Sequence, residues 1–404
     1  MFYQLAIMLE ETIRDRFIKV MNFKPVDRPP NFELGYWDQT VQRWLKEGMP
    51  PEAYPWIGGY NGEGKALKSQ MKIPEGEEDG PLYGHLYFGI EHRPALPIKM
   101  GPIPPFEYKI IQETKRYVIF RDEDGILRQA LKVGTVGGTR MSMDTYIDFP
   151  VKNRKDFEEI EKRYNPHDSR RYPDNWREIV ARYPDDRKVP VCLVPNGSIG
   201  LYSKLRQWMG TVEISKAFFM QPRLVHDMLD FIADFTIETL KKAMHDVHAD
   251  YFNFFEDFAN KGGPNISPRL FKEFFLPCYQ RITKFLRDNG IKIIWLDTDG
   301  DPSVLIPLII EAGVTCLWPL EIASNMEPKK IREEYGHQLA LSGGIDKRAL
   351  FGNKKSIKRE LSKIHDLVAD KGYIPTIDHA VSPEVSYENW LYYLEYKMKM
   401  MKQT

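Results

Sequence analysis

The sequence predicts an α/β fold: a (β/α)8 TIM barrel with an N-terminal helical and loop extension and a flanking β-hairpin. Three observations predict it. From residue 188 onward, short apolar runs alternate with long helical stretches. Glycines stand just ahead of several runs, where helices end. Successive runs also hand over to a carboxylate at their C-terminal ends. Strands alternating with helices imply parallel pairing through right-handed crossovers.

The elements follow in chain order. Leu5, Met8, Leu9, Ile13, Phe17, Val20 and Met21 recur at helical spacing and predict an amphipathic opening helix over residues 4–22. Pro25, Pro29 and Pro30 stop it. Asn31 to Trp37 predicts a first strand. Residues 50–110 are rich in proline and glycine, carry the acids Glu75, Glu77, Glu78 and Asp79, and predict long loops. Tyr117–Phe120 and Ile126–Gln129 flank Asp124-Gly125, a hairpin signal. Residues 151–187 are charged and interrupted by prolines, which predicts short helical pieces.

The regular part supplies strands at Val189–Pro195, Tyr251–Phe255, Ile291–Leu296, Val314–Pro319, Leu339–Leu341 and Tyr373–Ile377. Helices fill residues 222–247, 267–289, 302–312, 327–335, 354–371 and 386–402. Gly290, Gly313, Gly336 and Gly372 take positions just past helix ends. Ser267-Pro268 and Asp301-Pro302 read as an N-cap followed by proline in the first turn. One further strand is unplaced. Together these units predict one barrel domain over 1–404, with a front part at 1–187 and regular units at 188–404. No G-x-G-x-x-G turn supports the rival, an open dinucleotide-binding sheet.

Composition removes several function classes. Basic and acidic residues balance at 57 each, so nucleic acid and anionic membrane are not expected partners. Cys192, Cys278 and Cys316 lack C-x-x-C spacing, which points to core thiols and a reducing cytoplasm. The N-terminal apolar run is short and lacks a basic leader, so no signal peptide is expected. No run reaches the ~18 apolar residues of a membrane span.

The chemistry is expected where strands end. Glu256-Asp257 follows Phe254-Phe255, and Asp297-Thr298-Asp299-Gly300-Asp301 follows Trp295-Leu296. Glu321 follows Pro319-Leu320, Asp346 follows Ser342-Gly343-Gly344-Ile345, and Asp378-His379 follows Ile377. In a parallel barrel these ends share one face and converge on the axis. Converging carboxylates repel and need a metal ion, a shared proton or a cationic group. The alternative is that they cap the helices that follow or pair with loop Arg and Lys. Asp297 and Asp299 can face one way in an extended segment. With the imidazole of His379 they make a candidate divalent-metal site. His226, His245, His248 and His365 fall on predicted helices and read as surface residues. Tyr202, Arg206 and Trp208 follow the 189–195 strand and either line the pocket or pack a helix.

The same stretches carry a family resemblance. Gly313-Val314-Thr315-Cys316-Leu317-Trp318-Pro319-Leu320-Glu321, Leu341-Ser342-Gly343-Gly344-Ile345-Asp346 and Asp378-His379-Ala380-Val381-Ser382-Pro383 resemble the uroporphyrinogen decarboxylase superfamily. Asp27-Arg28-Pro29-Pro30 resembles its N-terminal motif. The resemblance implies a barrel and one of two activities. One is cofactor-free decarboxylation of uroporphyrinogen. The other is methyl transfer involving a corrinoid protein, at a zinc site of the form His-x-Cys plus a distant Cys. Asp297-Thr298-Asp299-Gly300 stands in the place of that His-x-Cys-Gly. His379 stands in the place of the distant Cys and of the decarboxylases' loop histidine. Where the decarboxylases continue with an arginine-bearing segment, this chain has Asn31-Phe32-Glu33-Leu34-Gly35-Tyr36-Trp37-Asp38. A carboxylate-lined mouth suits a polycarboxylate macrocycle poorly.

The resulting expectation is a corrinoid-linked methyltransferase of the O-demethylase type, closer to the methyltransferase branch than to the decarboxylases. Its expected donor is a small molecule, such as a methoxylated aromatic, and its expected partners are a corrinoid protein and a second copy of the chain in a homodimer. Asp297, Asp299 and His379 are the expected metal ligands, with zinc the leading ion, and Glu256 orients them. Trp37, Phe255, Trp295, Arg206, Glu321 and Asp346 are expected to bind substrate, and Tyr36, Phe254 and Trp318 add aromatic surface. Two alternatives stand beside this: a decarboxylase or lyase using His379 or a protonated Asp as acid, and a non-catalytic corrinoid or tetrapyrrole carrier-binding protein.

Overall fold

The computed structural model describes residues 10–50, 87–135, 140 and 142–403. The acidic cluster at Glu75 to Asp79 and the first part of the opening helix lie outside them. At the centre is a parallel sheet of five strands: Tyr251–Glu256, Ile293–Thr298, Cys316–Leu320, Ala340–Gly343 and Tyr373–Ile374, paired in that order. Single parallel bridges continue it on both flanks. Tyr251 meets Cys192 and Cys192 meets Ala95 on one side; Ile345 meets Ile377 and Tyr36 meets Val381 on the other. The predicted strands at 31–37 and 189–195 are thus bridges rather than ladders, and Ala95, in a stretch predicted as loop, adds one more bridge beside Cys192.

Helices alternate with these strands as their apolar spacing predicts. The helix Pro222–Asp246 precedes Tyr251, and Leu276–Asp288 precedes Ile293. Pro328–Tyr335 precedes Ala340, and Lys354–Ser362 with His365–Asp370 precedes Tyr373. Ser267 accepts the Leu270 amide as an N-cap, with Pro268 in the first turn. The helix Ile13–Met21 turns Phe17, Val20 and Met21 onto Tyr251, Trp295 and Trp318 and seals the interior from the strands' N-terminal side. A helix at Asp38–Lys46 and the long Leu201–Met220 were not expected. The hairpin is larger than predicted. Lys109–Glu113, Tyr117–Arg121, Leu127–Leu131 and Thr145–Asp148 form a four-stranded antiparallel sheet. Among the described residues no helix is long and apolar enough to cross a membrane.

Candidate functional site

The strand-end carboxylates meet different fates. Glu256 is 1% exposed and faces the start of the Leu201–Met220 helix. It accepts the backbone N–H of Leu201 at 2.5 Å and of Ser203 at 2.9 Å, and the Tyr279 hydroxyl. Burial pushes its carboxyl up, and these donors pull the other way. A carboxylate at a helix N-terminus satisfies orphan amides and the helix dipole. Glu256 therefore anchors a helix instead of facing the other acids. Asp346 accepts the Arg348 amide at 2.9 Å and pairs with the Arg348 side chain. It caps the short turn Lys347–Phe351. Arg206 pairs with Asp257.

Asp299, Glu321 and His379 do come together. Their ligand atoms all lie within 4.8 Å of one another. His379 Nε2 is 3.6 Å from Asp299 Oδ2. All three are half-buried; Asp299 and Glu321 directly follow parallel strands, and His379 lies five residues past the end of Tyr373–Ile374. Glu321 Oε2 also accepts the Gly300 N–H at 3.0 Å, which ties the 297–301 loop to the neighbouring strand. Gly300 has φ +78, and a Cβ there would meet the Asn260 nitrogen at 2.6 Å. Only glycine fits both requirements. Gly300→Ala is therefore expected to displace the loop and to weaken divalent-ion binding at least tenfold, measured by titration calorimetry with zinc.

Two further acids sit behind this group. Asp297 is 6% exposed, and Asn196 Nδ2 donates to its Oδ2 at 3.1 Å. Burial, and then the charge of Asp299, push its carboxyl well above the usual range. Asp378 accepts the amides of Ile322 at 3.2 Å and Lys347 at 3.1 Å. Burial pushes it up to about 6, against the pull of the Lys347 ammonium. Lys347 Nζ lies 3.9 Å from both Glu321 Oε1 and Asp378 Oδ1.

Beside the three donors lies a hollow of about 360 Å³ walled by Trp37, Glu321, Lys347, His379 and the turn 382–384. Trp37, expected to bind substrate, lines this hollow. Trp295, 1% exposed, instead packs on Phe17, Tyr251 and Trp318 in the interior. Phe255 is half-buried, and its N–H bonds to the Ile199 carbonyl at 2.7 Å. Sequence reasoning missed Lys347 and a line of polar side chains. Trp318 Nε1 donates to Asn253 Oδ1 at 2.9 Å, Asn253 Nδ2 to Asn196 Oδ1 at 2.6 Å, and Asn196 on to Asp297. The available signal was Asn253, a polar residue inside the apolar run Tyr251–Phe255, where burial demands partners.

The family model described as uroporphyrinogen decarboxylase (URO-D) matches residues 136–398. The chain belongs to the uroporphyrinogen decarboxylase family. The resemblance carried by residues 313–321, 341–346 and 378–383 is borne out. The uroporphyrinogen decarboxylase of Danio rerio is 26% identical over 207 residues, covering 49% of this chain and 50% of that protein. That of Protochlamydia amoebophila is 26% identical over 189 residues, 46% of each. The chain spans about half the length of the curated relatives it matches. Among solved structures, a methyltransferase from Methanosarcina mazei gives a TM-score of 0.57 at 16% identity. The match covers 96% of this chain and 99% of that one, a likeness of fold.

In this member of the uroporphyrinogen decarboxylase family, the donor set suits a divalent ion. Two carboxylates and one imidazole are hard-to-borderline ligands, and Asp299 and His379 are already spaced as neighbours around one centre. Glu321 completes the group, and Asp297, bound to Asn196, stands outside it.

Proposed function

We propose that this chain is a metal-assisted methyltransferase that moves a methyl group from a small methoxylated donor to the corrinoid of a partner protein. The observation that carries this reading is the gathering of Asp299, Glu321 and His379 beside an open hollow. A divalent ion held there, zinc first among the candidates, would supply Lewis-acid polarisation of an ether oxygen. The partner's corrinoid would supply the nucleophile. The chain's own groups do the rest. Trp37 offers a flat wall to an aromatic ring. Lys347 Nζ stands beside the acids and donates the proton that the leaving oxygen takes when its bond to the methyl carbon breaks. The fold likeness to a methyltransferase supports the same reading.

The test is an assay with free Co(I) cobalamin and a panel of aryl methyl ethers, with and without divalent ion. Loss of the Co(I) absorption that requires protein, ether and metal is the expected result. No reaction with any ether, together with carbon dioxide release from a porphyrinogen, would overturn it in favour of decarboxylation. The raised carboxyls of Asp297 and Asp378 are the observation that favours that second reading.

A further inference from the structure

A second cavity, also of about 360 Å³, opens beside the sheet. Its walls include Arg93, Cys192, Asn196, Tyr251, Asn253 and Trp318. Its size is that of a small-molecule site.

Glu33 and Glu91 border the cavity but are committed elsewhere. Glu33 pairs with Lys397 and accepts the Tyr393 hydroxyl at 2.7 Å and the Ile377 amide at 3.1 Å. Glu91 binds Arg28, Arg16 and the Asn31 amide. Arg93 has no carboxylate partner among the described residues. Its guanidinium instead lies 5.4 Å from the Phe32 ring centre, 5.3 Å from Trp295 and 4.8 Å from Trp318. Ring faces attract the charge and the Tyr251 hydroxyl takes one bond from it, which leaves further N–H donors of the fork for a ligand.

The polar side chains nearby are also rich in donors. Each amide in the Trp318–Asn253–Asn196 line accepts one bond at its oxygen and donates one from its nitrogen, so each nitrogen keeps a spare N–H. Trp295 Nε1, on a ring beneath Arg93, is buried without a hydrogen-bond partner. A cavity whose guanidinium has no carboxylate in salt-bridge contact among the described residues, and whose amides keep spare N–H bonds, suits a ligand that accepts. A carboxylate does this and meets the guanidinium through two parallel bonds. A phosphate dianion would bring a second charge toward Asp297, Glu33 and Glu91, with no second Lys or Arg among the described residues that line the cavity.

We propose that this cavity is a binding site for a small monocarboxylate, held by the Arg93 fork. The proposal stands apart from methyl transfer, because it uses none of the three metal donors. The test is titration calorimetry on the full chain with benzoate, its uncharged counterpart benzamide, and inorganic phosphate. Benzoate is expected to bind, with benzamide and phosphate at least tenfold weaker. Arg93→Met is expected to weaken benzoate binding at least tenfold. Arg93→Lys should fall between, since an ammonium keeps the charge and loses the fork. Asp299→Ala should bind benzoate like the unaltered chain even if methyl transfer is lost. Absence of benzoate binding, equal binding of benzamide, or undiminished binding in Arg93→Met would overturn the proposal. Should Arg93→Met fail to fold, undiminished benzoate affinity in Arg93→Lys would overturn it as well.

Discussion

Replacing His379 by alanine is expected to abolish stoichiometric divalent-metal binding and to lower methyl-transfer turnover by more than about 100-fold. Loss of a residue that merely supports a metal ligand commonly costs about 10- to 100-fold, so loss of a ligand costs more. Asp299→Ala and Glu321→Ala should behave alike, because the three donor atoms form one cluster within 4.8 Å. Asp297→Ala is the discriminating variant. Its carboxyl is bonded to Asn196 and lies outside that cluster, so metal content should survive while the polar line from Trp318 loses its end. Metal content after exhaustive dialysis, measured by mass spectrometry alongside activity, separates the two outcomes. Metal lost in Asp297→Ala but kept in Glu321→Ala would restore the ligand set expected from the sequence.

That contrast shows what a sequence can and cannot carry. The strands were legible because burial on both faces demands continuous apolar runs, and the helix ends because Gly290, Gly313, Gly336 and Gly372 adopt positive φ there. The Leu201–Met220 helix was not. It starts at Gly200 with no local side-chain cap, takes its N-terminal counter-charge from Glu256 some 55 positions away, and is broken by Gly210 at φ 76. The outer strands Lys109–Glu113 and Thr145–Asp148 were missed for another reason. Both are exposed on both faces, so they show no alternation. Among the carboxylates, position at a strand end was visible but its use was not. Glu256 and Glu321 follow equally apolar runs. Only the neighbouring chain decides that one meets two helix amides and the other meets Asp299 and His379.

Lys397→Met is expected to cost about 3–5 kcal/mol of folding stability, the usual consequence of removing one partner from a buried ion pair. Lys397 and Glu33 are both fully buried. Lys397 Nζ donates to Glu33, to the Phe32 carbonyl at 3.2 Å and to the Pro375 carbonyl at 3.3 Å, which occupies all three of its protons. Burial pulls its ammonium down and the Glu33 charge holds it up. Without it, Glu33 is left in the interior with only the Tyr393 hydroxyl and the Ile377 amide to meet it. A second change, Glu33→Gln, removes that charge while keeping an acceptor for both donors. The double variant should therefore regain part of the loss, a coupling that two independent contacts would not show. Urea unfolding followed by circular dichroism measures all four members of the cycle. The pair also joins Phe32 and Glu33 to Pro375 and Ile377, where single bridges stand in place of a ladder, two residues before His379. Destabilisation there should loosen the metal donor as well, so the single variant is expected to bind zinc more weakly than the double. Equal zinc affinity in the two would confine the pair to stability alone.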